Sequence, residues 1–141
     1  MTSEQKGLRF AAAVALIGFG LACALAAYPP LSPPTALLID AVLWPFDGAQ
    51  TLASSEARLL AAILGGITFG WGVMIWQLAG APLARDPETI RPIILTAILA
   101  WFGLDSFASL LAGAPINLAA NLVFLALFLV PMLRGRRTQP A

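Results

Sequence analysis

Histidine is absent from this 141-residue chain, and cysteine occurs once, at Cys23. The lack of histidine excludes imidazole catalysis, haem ligation through histidine and metal sites built on imidazole. A single cysteine excludes an internal disulfide and a cluster of thiolates. The sequence accordingly predicts no catalytic residue, no cofactor and no metal site.

Charge is also scarce. Charged residues make up 11% of the chain, hydrophobic residues make up 60%, and the net charge is +1. A soluble domain is about 25% charged and about 45–50% apolar. The few polar side chains here would not cover the outside of a soluble bundle, and the mean hydropathy is +0.87. These values exclude a soluble globular domain, a disordered tail and a free nucleic-acid binder. They predict an integral membrane protein whose outer surface contacts the lipid bilayer.

Four apolar stretches are long enough to cross that bilayer, at about 8–28, 56–79, 90–112 and 117–133. Each is near the roughly 20 residues that a helix needs to span the hydrocarbon layer. The stretches lack the alternation of barrel strands, and lipid offers no partner for unpaired backbone groups, so we expect helices. The predicted fold is all-α: one membrane domain over 1–141, containing a bundle of four transmembrane helices.

The segment 29–55 is the one long connection between these stretches. Its proline-rich start is stiff, and Ser32 followed by Pro33 predicts a short helix that ends near Leu43. About ten residues are too few to span a bilayer. We interpret this helix as interfacial, with Trp44 at the membrane surface. The alternative is a lid over a cavity between the spans.

Basic residues predict the orientation. Seven of the eight lie on one side of the four stretches, and Arg58 alone lies on the other. By the positive-inside rule that side is cytoplasmic, so both termini are expected inside and 29–55 outside. The first stretch is interpreted as a retained anchor, with a cleaved signal peptide as the alternative.

Glycines suggest where helices pack. Gly66 and Gly70 form a GxxxG pair in the second stretch, and such a pair lets a neighbouring backbone approach closely. The first stretch is also rich in small residues. We therefore predict that Gly66 and Gly70 pack the first two helices together, with contact to a second copy or a larger complex as the alternative.

A polar cluster is the candidate site. A charged Asp105 inside the third stretch costs about 2.5–3.5 kcal/mol near a span centre, so a partner is expected. Folding the third and fourth helices back at 113–115 brings Asp105 and Ser109 level with Asn117 and Asn121. Arg58 enters the outer end of the second helix and is expected to reach toward Asp105. The cluster is either interhelical glue, a proton-coupled or ligand site, or a partner contact.

Several short motifs resemble those of small uncharacterised proteobacterial four-span membrane proteins, broadly similar to DoxX-like proteins. They are Leu43-Trp44-Pro45-Phe46-Asp47-Gly48, Glu56-Ala57-Arg58, Gly70-Trp71-Gly72, Trp101-Phe102-Gly103-Leu104-Asp105-Ser106 and Gly113-Ala114-Pro115-Ile116-Asn117. The resemblance implies a four-helix bundle in the bacterial inner membrane and no established activity. The Cys-x-x-Cys of quinone-linked thiol oxidation is missing.

These observations favour a non-enzymatic accessory or scaffold subunit that packs with itself or with a larger membrane complex. The alternative function is a small transporter or ligand-binding protein that uses Asp105. An enzyme is disfavoured, since the sequence offers no pair of nucleophile and base.

Overall fold

The computed structural model describes residues 1–137, with the side chains of residues 1–135. Four of its helices are long and apolar enough to cross a membrane, and a fifth, shorter apolar helix lies between the first two. This confirms the predicted all-α, multi-pass fold. The helices are α1 (Ser3–Leu25), α2 (Pro33–Leu43), α3 (Ser55–Leu78), α4 (Ala81–Arg85), α5 (Pro87–Leu111) and α6 (Pro115–Arg137).

Helix starts follow local capping chemistry. Asp86 caps α5, where its carboxylate accepts a hydrogen bond from the Thr89 amide at 3.1 Å. Helix α3 is capped by Ser54, whose hydroxyl accepts from the Ala57 amide at 3.0 Å. Helix α3 thus begins one residue before the predicted 56, and α5 begins three residues before the predicted 90, at the proline that follows its cap.

Helix α1 begins earlier than the predicted Leu8. Thr2 and Gln5 form a capping box, in which the Thr2 hydroxyl accepts from the Gln5 amide and the Gln5 side chain accepts from the Thr2 amide. A helix can therefore start in the polar segment before the apolar run. The turns from Ala12 to Gly18 are π-helical, a feature that the sequence pattern did not predict.

Helix α1 occupies the middle of the bundle, between α3 and α6, and α6 packs in turn against α5. The antiparallel α5–α6 pair and the α1–α3 contact were both predicted. The main core lies where these helices meet, and its largest fully buried side chains are Leu8, Ile75, Ile94, Ile98 and Phe128.

One aromatic side chain from each spanning helix meets in the interior. The ring centroids of Trp71 and Trp101 lie 6.1 Å apart and link α3 to α5. Phe124 of α6 lies 6.5 Å from Trp101 and 6.2 Å from Phe19 of α1. We call these four side chains the aromatic chain; because they are in contact, they mark the same depth along all four spanning helices.

The glycines that close the α1–α3 contact are Gly65 and Gly72, and the predicted role of Gly66 and Gly70 is wrong. A Cβ added at Gly65 would overlap the backbone nitrogen of Ala24, and one at Gly72 would lie 2.9 Å from the nitrogen of Ile17. Residues seven apart share a helix face, whereas a neighbouring residue is rotated by about 100°. Gly66 and Gly70 therefore point out of the bundle, where an added Cβ meets no described atom within 4 Å.

We call the end of the bundle where α1 starts and α6 ends the terminal end. Glu4 and Arg91 form a buried ion pair there, with two nitrogen–oxygen distances of 2.8 Å. The Gln5 amide donates to the carbonyl of Gly80 at 2.6 Å. These contacts tie α1 to the start of α5 and to the α3–α5 connection.

We call the opposite end, which carries α2 and the loop 44–54, the loop end. Asp40 is buried, and its carboxylate accepts from the Gly48 amide at 3.0 and 3.1 Å and from the Gln50 amide at 3.5 Å. Thr35 donates to the carbonyl of Ala22 at 3.1 Å. Helix α2 thus packs on α1 and α6, while its Leu37 and Leu38, and Trp44 just after it, are exposed.

Candidate functional site

A tight turn builds the candidate site. Helix α5 ends at Leu111 and α6 begins at Pro115, with Gly113 between them at φ +75°, a left-handed conformation that favours glycine. The Ala114 amide donates to the carbonyl of Ser109 at 2.9 Å and closes the turn. Such a short connection forces the last turns of α5 to lie beside the first turns of α6.

Five side chains then form what we call the Asp105 network: Asp105, Ser106, Ser109, Asn117 and Asn121. The Asn121 amide donates to Asp105 Oδ2 at 2.6 Å, and the Asn117 amide donates to the same oxygen at 3.1 Å. Each amide nitrogen also donates to a hydroxyl, Asn117 to Ser109 at 2.8 Å and Asn121 to Ser106 at 3.2 Å. The structure therefore brings together Asp105, Ser109, Asn117 and Asn121, the four residues proposed from α5 and α6.

The network is largely enclosed by the bundle. Asn121 and Ser106 are 3% and 6% exposed, and Asp105, Ser109 and Asn117 are half-buried. Asp105 lies one turn from Trp101 and Asn121 one turn from Phe124, so the network sits just on the loop-end side of the aromatic chain. In residues 1–135, every buried polar side-chain atom has a hydrogen-bond partner.

Arg58 does not join the network, and its predicted approach to Asp105 is wrong. Its guanidinium donates to the carbonyls of Leu52 and Ala53, at 3.2 and 2.5 Å. Trp71 contacts Trp101, so the part of α3 level with Asp105 is near Ile67, and Arg58 lies about 13 Å further toward the loop end. The carbonyl groups that precede α3 are unpaired within the helix and lie closer to Arg58 than Asp105 does.

Ser106 is the network member that the sequence analysis did not assign. It neighbours Asp105, but one residue of rotation along α5 turns it toward Asn121 rather than toward Asn117. The serine next to an intramembrane acid was the available signal. The Glu4–Arg91 pair was also missed, because it joins residues 87 positions apart and has no local sequence signature.

The network can act as a hydrogen-bonded support for one carboxylate. Both amides present N–H groups to Oδ2, which suits an ionised carboxylate. In the described residues, no group of three His, Cys, Asp or Glu side chains is placed to hold a metal ion. The possible ion ligands in the network are instead the oxygen atoms of one carboxylate, two amides and two hydroxyls.

Comparison with protein-family models, with curated proteins and with solved structures finds no match to this chain. Four apolar helices of spanning length are what it has in common with the four-span proteins that its motifs resemble. Membership of that family stays a hypothesis.

Proposed function

We propose that this protein is a non-enzymatic subunit of the bacterial inner membrane that functions by assembly, first of all with a second copy of itself. The observation that carries the proposal is the outward orientation of Gly66 and Gly70. Both lie in the middle of α3, are exposed, and have open space where a side chain would stand. In its own bundle the chain uses other glycines for close packing.

The energetic argument concerns glycine inside a helix. Each glycine costs about 1 kcal/mol relative to alanine in a helix interior. Gly65 and Gly72 offset this cost through the close α1–α3 contact, whereas the space beside Gly66 and Gly70 is open in the part of the chain that the structure describes. A second helix lying on this face would supply one, because small residues let two backbones approach and form dispersion contacts.

The neighbouring side chains support a helix-sized groove. Ile63, Ile67 and Met74 surround the two glycines, and all three are at least 49% exposed. Large residues beside two glycines one turn apart give a ridge and a depression, the shape into which another helix packs. A copy of the same face is self-complementary in this respect.

The assembly prediction uses leucine substitutions in α3 with a matched substitution in α5. Gly66→Leu with Gly70→Leu is expected to convert the oligomer in mild detergent to a monomer, because leucine fills the depression. Gly103→Leu is the control, since Gly103 is also exposed and has open space around its Cβ position. The measurement is molar mass by light scattering at several protein concentrations.

A monomeric wild type with no co-purifying protein would contradict the assembly proposal. So would an oligomer that persists in the double variant while Gly103→Leu disrupts it, because the contact would then lie on α5. A different membrane protein that co-purifies with wild type and is lost from the double variant would replace self-assembly by a larger complex.

The orientation of the protein in the membrane is proposed from the distribution of its basic residues. Lys6, Arg85 and Arg134 are exposed at the terminal end, and Arg9 lies over the Trp76 ring at 5.2 Å. Arg136 and Arg137 belong to the same asymmetry, but their side chains lie outside the described ones. With Arg58 alone at the loop end, the terminal end is proposed to face the cytoplasm.

Cysteine labelling tests this orientation. In a Cys23→Ala background, Ala49→Cys at the loop end is expected to react with a membrane-impermeant maleimide added to intact spheroplasts. Ala84→Cys at the terminal end is expected to react only after lysis. Both alanines are exposed, so access differs by side of the membrane and not by burial. The reverse labelling pattern would overturn the orientation.

A further inference from the structure

Among the side chains that the structure describes, Asp105 has no cationic partner. Of the seven acidic residues, Asp105 is the one that lies well inside a spanning helix, about 9 Å from the middle of α5. Arg58 is committed to the carbonyls of Leu52 and Ala53. Arg91 starts the same helix as Asp105, about 21 Å away, and pairs with Glu4. Within residues 1–135, the Asp105 carboxyl group therefore lies in an apolar layer with no basic side chain beside it.

Several oxygen atoms around that carboxylate have no hydrogen-bond donor and are not fully buried, since every fully buried polar side-chain atom in residues 1–135 has a partner. Among the described residues, no donor is hydrogen-bonded to Asp105 Oδ1 or to the side-chain oxygens of Asn117 and Asn121. Each amide oxygen is bonded to the same carbon as its Nδ2, so it lies within about 5.5 Å of Asp105 Oδ2. Two serine hydroxyls complete the set. Carboxylate, amide and hydroxyl oxygens are the ligands that hard cations prefer.

We propose that the Asp105 network binds one small monovalent cation, of the kind represented by Na⁺. The single carboxylate fixes the charge of the ligand, because a monovalent ion makes the site neutral whereas a divalent ion leaves a net positive charge inside the membrane. The network supplies neutral oxygens from two helices, and its buried members hold them in register. This site is separate from the outward face of Gly66 and Gly70, and it goes beyond the assembly function.

Thermal unfolding in matched salts tests the site. Purified protein in mild detergent is heated at fixed ionic strength in NaCl, in LiCl or in N-methyl-D-glucamine chloride, whose cation is too large for the network. NaCl or LiCl is expected to raise the wild-type midpoint by about 3–5 °C over the large cation, saturating with concentration. Asp105→Asn is expected to lose this difference. Asp47→Asn, which removes an exposed acid of the loop end, is expected to keep it.

Equal wild-type midpoints in the three salts would overturn the proposal, as would an Asp105→Asn response equal to that of wild type. Should Asp105→Asn fail to fold, Ser109→Ala retains the carboxylate but removes the hydroxyl that accepts from Asn117. Its half-saturating Na⁺ concentration is expected to rise about tenfold. An unchanged value would also overturn the site. Gly66→Leu is expected to keep the salt response, so the result is independent of assembly.

Discussion

Replacing Gly65 by alanine is expected to destabilise the protein by about 2–3 kcal/mol, the cost of forcing extra atoms into a close-packed contact. The new methyl group would overlap the backbone nitrogen of Ala24 and lie 2.5 Å from the carbonyl oxygen of Gly20. Neither atom can rotate away, because both belong to the helix backbone. Helices α1 and α3 must therefore separate, and the contacts around Gly72 weaken with them.

The control for this prediction is Gly103→Ala. Gly103 is also helical and has open space around its Cβ position, so the change is expected to be neutral or to stabilise by up to about 1 kcal/mol through helix propensity. The measurement is the thermal unfolding midpoint of each variant in the same detergent. A Gly65→Ala protein as stable as wild type would mean that α1 and α3 do not approach as closely as the structure has them.

The spans could be predicted from sequence because lipid imposes a length and a composition on them. About 20 apolar residues in a row have few other uses, and Asp86 with Pro87 marks a helix start in any environment. The face on which α3 packs could not be predicted in the same way. Gly65, Gly66, Gly70 and Gly72 lie within eight residues, and the GxxxG spacing selects the pair that points outward.

The candidate site could likewise be predicted only in part. Asp105 and the two asparagines could be paired because a three-residue turn leaves α5 and α6 little freedom in register. The position of the Arg58 side chain could not be predicted, since no short turn fixes α3 against α5. The carbonyls of Leu52 and Ala53, in the loop before α3, are nearer acceptors than Asp105. The π-helical turns of α1 have no sequence signature that distinguishes them from α-helix.

The acidic side chains at the two ends of the bundle have different kinds of partner. At the terminal end, Glu4 and Arg91 neutralise each other through two short contacts, so folding leaves no net charge buried there. On the loop-end side of the aromatic chain, Asp105 receives N–H donors but no cation from the described residues. Hydrogen bonds lower the energy of a buried carboxylate without cancelling its charge. This contrast is the physical basis for the proposed cation.

Two substitutions at Asp105 separate its hydrogen-bonding role from its charge. Asp105→Leu is expected to cost about 3–4 kcal/mol, because the amides of Asn117 and Asn121 then lose an acceptor at once in a buried setting. Asp105→Asn keeps an acceptor oxygen and removes the charge, so it is expected to stay within about 1 kcal/mol of wild type in N-methyl-D-glucamine chloride.

The salt then supplies the second comparison. In NaCl, wild type is expected to become more stable than Asp105→Asn, because only the carboxylate binds the ion strongly enough to add free energy to the folded state. Unfolding midpoints of the three proteins in the two salts give both differences. An Asp105→Leu protein as stable as wild type in both salts would mean that Asp105 is not held between α5 and α6, and the network itself would have to be abandoned.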